Sequence, residues 1–312
     1  MILPSNFHTP VLLPQVILAL RIEKNKKYID ATLGGGGYAD EILNLGGIVL
    51  GIDQDEDAIE YVKEKCKVHS AKCKINENLY LELGNFAELK SIADKFNFDK
   101  VAGIIFDLGM SSYQLEGSGR GFTYKEDEPL DMRMDKKSEL TAGDIINKYS
   151  KERLHEIFTK YAEELHSRAV AEAIVRTRSL EGKILRTKDL LQLVESVLDR
   201  IYLQKNYFHK FKIYQSTKAR IFQALRIEVN NEIENLQKGL LQAFNLLAIG
   251  GRIGVLSYHS LEDRTTKLIF RKMQNEGKLK SVNSNLIKAE KKEQQDNPKA
   301  KVAKLRVVER II

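Results

Sequence analysis

The chain has 312 residues, 43% hydrophobic and 30% charged, a composition that suits a soluble globular protein with a sizeable core. Its 50 Lys and Arg against 43 Asp and Glu leave a net charge of +7, which suits a polyanionic partner. No apolar run approaches a membrane span, and the stretch 11–20 is broken by Pro14 with no basic lead, so membrane and secreted classes are set aside and a cytoplasmic protein is expected.

Thr9-Pro10 offers a cap and first-turn pair for a helix running to Leu20. Strands are expected at 27–31, 48–52, 79–83 and 101–106, with helices at 38–45, 56–66 and 88–95. Alternation with short connections predicts a parallel sheet covered by helices. The fourth strand, Val101-Ala-Gly-Ile-Ile-Phe106, is apolar throughout, as a central strand should be. Cys66 and Cys73 are too few and too widely spaced for a metal site, so reduced thiols and no metal are expected.

The segment 108–129, rich in Gly, Ser and charge, reads as a long loop. Helices follow at 142–149, 151–161, 164–179 and 188–203 with no strand between them, which predicts a helical domain inserted into the sheet domain. A long helix over 220–247 then leads to a strand at 251–257 and a helix at 261–273. Ser260-Leu-Glu-Asp263 has capping-box spacing, with Asp in place of Glu. Past a Lys-rich stretch at 283–301 comes a last strand at 304–311. The expected division is 1–115 and 218–312 for the sheet domain and 116–217 for the insert.

The strongest chemical signal is Tyr28-Ile-Asp-Ala-Thr-Leu-Gly-Gly-Gly-Gly-Tyr38, followed by Ile48-Val-Leu-Gly-Ile-Asp53. Glycines let the backbone approach a ligand, the following helix presents free N–H groups, and an acid at the next strand tip suits ribose hydroxyls. Gly34-x-Gly36-x-x-Ala39 also fits a dinucleotide fingerprint. Asp30, at the strand tip, would repel a pyrophosphate and attract the sulfonium and ammonium of S-adenosylmethionine. As a turn cap alone it says nothing about a cofactor. With Asp53 at the right distance, the methyl donor is favoured over the dinucleotide.

The segment 200–220 holds six Lys or Arg, five aromatics and no acid. Cations attract phosphates and aromatic faces stack on unpaired bases, so Lys205, Lys210, Lys212 and Arg220 are candidate RNA contacts. The alternative is a helix with its aromatics in the core and its lysines in solvent.

Several blocks together resemble the bacterial small-subunit rRNA (cytosine-N4)-methyltransferase family RsmH, also called MraW. They are His8-Thr-Pro-Val-Leu-Leu13, the Gly34–Gly37 loop, Phe106-Asp-Leu-Gly-Met-Ser-Ser112 with Gln114, Arg120-Gly-Phe122 and Pro129-Leu-Asp-Met-Arg-Met-Asp135. Phe222-Gln-Ala-Leu-Arg-Ile-Glu228, Ser257-Tyr-His-Ser-Leu-Glu-Asp-Arg264 and Asn297-Pro-Lys-Ala-Lys301 complete the set, which spans nearly the whole chain.

The resemblance implies a class I S-adenosylmethionine-dependent methyltransferase fold, Rossmann-like with a mostly parallel sheet, carrying an all-helical insert for rRNA recognition. It implies methyl transfer to the exocyclic amine of a decoding-centre cytidine in 16S rRNA of the small ribosomal subunit, by a monomer or homodimer. The family's cofactor positions fall on Gly36, Gly37, Tyr38, Asp53, Phe86, Asp107 and Gln114, with Asp30 added from the charge argument. Tyr38 stands where the family often has His, and Ser216-Thr-Lys-Ala-Arg220 keeps the Arg of a family block but not its His-Pro pair. Asp107 is a candidate acceptor for the amine, and His259 a candidate proton acceptor. The segment around His259 reads equally well as a turn feeding the next helix.

Overall fold

The computed structural model describes residues 10–68, 77–203, 207–283 and 286–312. It divides into two compact units, Met1–Ser111 with Ile233–Ile312, and Ser112–Glu232. In chain order come α1 (Leu13–Leu20), β1 (Lys27–Asp30), α2 (Gly37–Asn44), β2 (Ile48–Asp53), α3 (Glu56–Val68), β3 (Leu79–Leu83), α4 (Leu89–Lys95) and β4 (Val101–Asp107). Six helices follow: α5 (Ser112–Glu116), α6 (Ala142–Lys148), α7 (Lys151–Ala162), α8 (Ser167–Leu180), α9 (Thr187–Ile201) and α10 (Tyr207–Asn230). The chain returns through α11 (Glu232–Leu246), β5 (Leu247–Ser257), α12 (Ser260–Asn275), β6 (Leu279–Ser281), α13 (Lys291–Asp296) and β7 (Lys304–Arg310).

In the first unit the strands form one sheet in the order β3-β2-β1-β4-β5-β7-β6. From β3 to β5 all neighbours are parallel, while β7 runs antiparallel to β5 and β6 antiparallel to β7. This is the mostly parallel, Rossmann-like sheet that the alternation predicts, with β6 added beyond it. The chain moves outward from β1 through β2 to β3, then crosses to β4 on the other side. That reversal opens a crevice at the carboxyl ends of β1 and β4, where such sheets bind ligands. Ile29, Leu50, Ile104, Phe106 and Val255 are buried in the core of this sheet. Each contributes about 1.5–3 kcal/mol by leaving water.

Among the described residues the regular elements of the second unit are all helices. Leu154 and Phe158 of α7, Ile174 of α8, Leu190 and Leu198 of α9 and Ile221 and Leu225 of α10 are buried. Several family blocks serve as knots within it. The Arg120 guanidinium donates to the carbonyls of Arg133 and Met134, and Asn230 grips the same segment through Met132 O and Met134 N, both at 2.8 Å. Asp131 receives Arg133 in a two-pronged pair at 2.9 and 2.6 Å.

Four expectations are corrected. A short helix, α5, stands within the segment expected to be a loop. The single helix expected over 220–247 is two helices, broken at Asn231 with φ 50°, a left-handed conformation that Asn tolerates. The helical unit therefore extends to Glu232 rather than 217, because α10 buries its apolar face among the helices and takes the Phe222–Glu228 block with it. Cys66, buried at the end of α3, is in a disulfide rather than a reduced thiol, since arguments from compartment carry no geometry; Cys73 lies outside the described residues. Among the described residues no helix is long and apolar enough to cross a membrane.

Candidate active site

Three neighbouring parallel strands each end in or beside an acid: Asp30 on β1, Asp53 on β2 and Asp107 on β4. Asp30 is fully buried. Its Oδ1 accepts from Thr32 N at 3.3 Å, while among the described residues Oδ2 has no hydrogen-bond partner. Burial pushes its carboxyl up to about 8, and the nearby Asp107 and Asp53 push the same way. The expectation of a fixed negative charge at this tip is therefore corrected: near neutral pH Asp30 mostly holds a proton. An arriving cation would draw out the charge by releasing that proton.

Asp53 bridges backbone. Its Oδ2 accepts from Gly34 N at 2.8 Å and its Oδ1 from Asp55 N at 2.9 Å, and burial raises it to about 6. The carboxylate thereby sets the mouth of the glycine loop. Gly36 takes φ 75° at the start of α2. Gly37 is needed for a different reason, since a Cβ there would stand 2.7 Å from Pro10 Cγ. Lys65 reaches from α3 to donate to Gly35 O at 3.1 Å and to pair with Asp40, which ties down the outer side of the loop. Nothing in the sequence marked Lys65.

Tyr38 is buried, and its hydroxyl donates to Val11 O at 2.5 Å. It anchors the segment before α1 to the first turn of α2. Phe86 follows β3 on a turn capped by Asn85, whose side chain accepts from Ala87 N at 2.8 Å. Its ring meets Phe106 edge-on, 5.5 Å between centroids, and a Cβ at Gly239 would stand 2.8 Å from it. Gln114 is buried on α5 in the helical unit.

At the end of β4, Asp107 N donates to Thr32 Oγ1 at 2.6 Å, joining the β1 and β4 tips. Asp107 Oδ1 accepts from the Tyr258 hydroxyl at 2.6 Å. Burial, then the Asp107 charge, holds the Tyr258 phenol well above its usual value, so it keeps the proton it donates. The ring of Tyr258 lies against Gly109, where φ is 115° and a Cβ would be 3.1 Å away. Lys299, from the Asn297–Lys301 block, donates to Met110 O at 3.1 Å and fixes the same turn. Sequence reasoning had no role for Tyr258 or Lys299 beyond their family blocks.

His259 is the cap of α12. Its Nδ1 accepts from Glu262 N at 3.4 Å, and Glu262 accepts from Tyr258 N and His259 N at 2.8 and 3.3 Å. The capping box thus starts one residue earlier than expected and uses Glu262. Asp263 instead binds Arg306 at 2.7 Å and Lys304 at 3.3 Å. Nδ1 is engaged by backbone, while the buried Nε2 lies 2.9 Å from Glu262 Oε1 without making a hydrogen bond to the described residues.

The basic segment is less bare than its sequence. Acids reach it from other elements: Asp199 stands 3.7 Å from Lys210, Glu195 pairs with Lys218, and buried Glu164 lies 3.6 Å from Arg220. Lys212 is exposed and, among the described residues, unpaired. Lys205 lies outside the described residues. Thr217, at an altered family position, is buried with its hydroxyl 3.5 Å from Glu164.

The profile of the MraW methylase family matches residues 5–311. A protein of Caldicellulosiruptor saccharolyticus called ribosomal RNA small subunit methyltransferase H is 39% identical, over 97% of this chain and 99% of its own length. Proteins of the same name are 38% identical in Halothermothrix orenii, over 98% and 99%, and 36% in Clostridium botulinum (strain Loch Maree / Type A3), over 97% and 99%. With matches of this length and identity, the chain belongs to the MraW methylase family.

Proposed function

We propose that this chain transfers a methyl group from S-adenosylmethionine to the exocyclic N4 amine of a decoding-centre cytidine in 16S rRNA of the small ribosomal subunit. The observation that carries the donor is the set of three acids at adjacent strand ends, with the buried Asp30 Oδ2 left without a partner among the described residues. An unsatisfied buried oxygen is costly and calls for a ligand donor or cation. The full-length relatives named as small-subunit rRNA methyltransferases support the acceptor.

The residues fit the donor. Asp53 and the Gly34–Gly37 loop would hold its ribose and amino-acid portions, Phe86 its adenine, and Asp30 its positive charge. When bound, the donor supplies a methyl on a sulfonium, ready for in-line attack. A cytosine amine is a weak nucleophile because its lone pair is delocalised into the ring, so orientation and exclusion of water carry the rate. Asp107, steadied by Tyr258 and by its backbone bond to Thr32, would accept a hydrogen bond from the amine and turn its lone pair toward the methyl. The C–N bond forms as the C–S bond breaks, and nitrogen then sheds a proton that has become strongly acidic. Asp107 or water suffices to take it, so His259 is not required as a base.

Calorimetric titration should show binding of S-adenosylmethionine and none of NAD. Labelled methyl should pass to small subunits from a strain lacking the modification. Binding of NAD alone, or absence of transfer with the donor bound, would overturn the reading.

A further inference from the structure

Beyond the strand-end crevice, the sheet unit has a cavity of about 380 Å³ beside its antiparallel edge. Phe270 of α12 and Leu305 of β7 line it, both buried, with Lys267, Arg271, Gln274 and Arg306 around them. Lys267, Arg271 and Gln274 recur at helical spacing along α12, so they share one face. Gln274 is held by Ser281 of β6 at 2.7 Å. Arg306 is already paired with Asp263. Among the described residues Lys267 and Arg271 have no acid partner, and both are exposed. A concave site with a mostly polar lining, a small apolar floor at Phe270 and Leu305, a fixed amide and two uncommitted cations matches one nucleotide of a strand: base over the floor and amide, phosphates on the cations.

We propose that this cavity is a second RNA-binding site, taking a phosphate-bearing nucleotide of single-stranded rRNA. The sheet order places β7 two strands from β4, about 10 Å away at ordinary strand spacing. The site is therefore distinct from the crevice yet on the same sheet. The choice of RNA as the polyanion rests on the function proposed above; the pairing of cations and cavity does not.

The test uses the full chain and a labelled single-stranded RNA of about twenty nucleotides, titrated over a range of salt. Lys267→Gln with Arg271→Gln should weaken binding on the order of tenfold at low salt. It should also reduce the magnitude of the salt slope by about 1.4, or 0.7 per lost phosphate contact. A control pair, Lys238→Gln with Lys272→Gln, removes the same charge from exposed positions outside the cavity. Equal losses in both pairs would assign the effect to net charge and overturn the site. So would parent-like binding by the cavity pair, or displacement of the RNA by millimolar free cytidine monophosphate with no preference for the strand. Binding of S-adenosylmethionine, measured in parallel, should be unchanged in both pairs. If the parent binds the donor and RNA but methylates no subunit, the proposed function fails while the cavity is still judged by the slopes.

Discussion

Asp30 joins stability to function at a single carboxyl. Its ordinary value of 3.8 applies to the unfolded chain and about 8 to the folded one. Below pH 4 both states hold the proton, and the group is neutral to stability. As pH rises from 4 to 8 the unfolded chain releases its proton first, so the folded state loses stability across that window, fully so above pH 8. Asp30→Asn removes this loss. Its melting temperature relative to the parent should rise by several degrees between pH 5 and pH 8.5, followed by calorimetry. A gap independent of pH would contradict the raised carboxyl. The same variant should bind S-adenosylmethionine roughly 10- to 150-fold more weakly, the loss of one charge-assisted contact. From pH 7 to pH 8.5, above the raised Asp53 value of about 6, parent affinity should climb as the Asp30 proton is released more easily, and the variant's should stay nearly flat. Tyr258 offers a second test at this scale. Tyr258→Phe deletes the hydrogen bond to Asp107 and keeps the ring on Gly109. Turnover should fall about 10- to 100-fold with donor affinity nearly unchanged. Equal losses in both would mean that Tyr258 shapes the donor site rather than Asp107.

At the scale of elements, the question is whether the turn into α12 is machinery or scaffold. His259→Asn supplies another good cap, so it should cost at most about 1 kcal/mol of stability and leave turnover within a fewfold of the parent. A loss of 100-fold or more with normal melting would restore His259 as a proton acceptor. The capping box shows what sequence makes legible and what it hides. Ser, Leu, Glu and Asp in a row announce a helix start, but two overlapping boxes are possible there. Arg306 and Lys304 from β7 settle the choice by drawing Asp263 away. The break at Asn231 was hidden for a related reason, since helical periodicity continues across it. The acid-free stretch 200–220 hides its surroundings in the same way, because Glu195 and Glu164, and the contact of Asp199 with Lys210, reach it only through folding. Strand-end acids and the glycine loop were legible because strand, turn and helix there are local in sequence. Lys65 and Lys299 were not, because each meets its partner through tertiary packing.

For the whole molecule, the alternation of strand and helix fixed the parallel half of the sheet, while the antiparallel β6 is too short to leave a pattern of its own. On the proposed function, the substrate should be read as a folded RNA surface. A target base must leave its stack before its amine can reach a methyl at the strand ends, and the energy for this must come from contacts elsewhere on the RNA. A free cytidine or a short oligonucleotide offers no such contacts, so it should be methylated poorly, if at all. Assembled small subunits should exceed naked rRNA if decoding-centre geometry is what is recognised, measured by transfer of labelled methyl at equal RNA concentration. Nucleoside mass spectrometry of the product should place the methyl on the cytidine N4. A ribose methyl would overturn the assignment of acceptor. A ring-carbon methyl would overturn the chemistry as well, because that reaction ordinarily uses a cysteine thiolate as a nucleophile. Cys66 is in a disulfide and buried in one apolar cluster with Ile59, Val62 and Leu79. Cys73, the other cysteine, falls in the sequence between the second and third strands. The amine route needs neither, only an oriented lone pair beside Asp107.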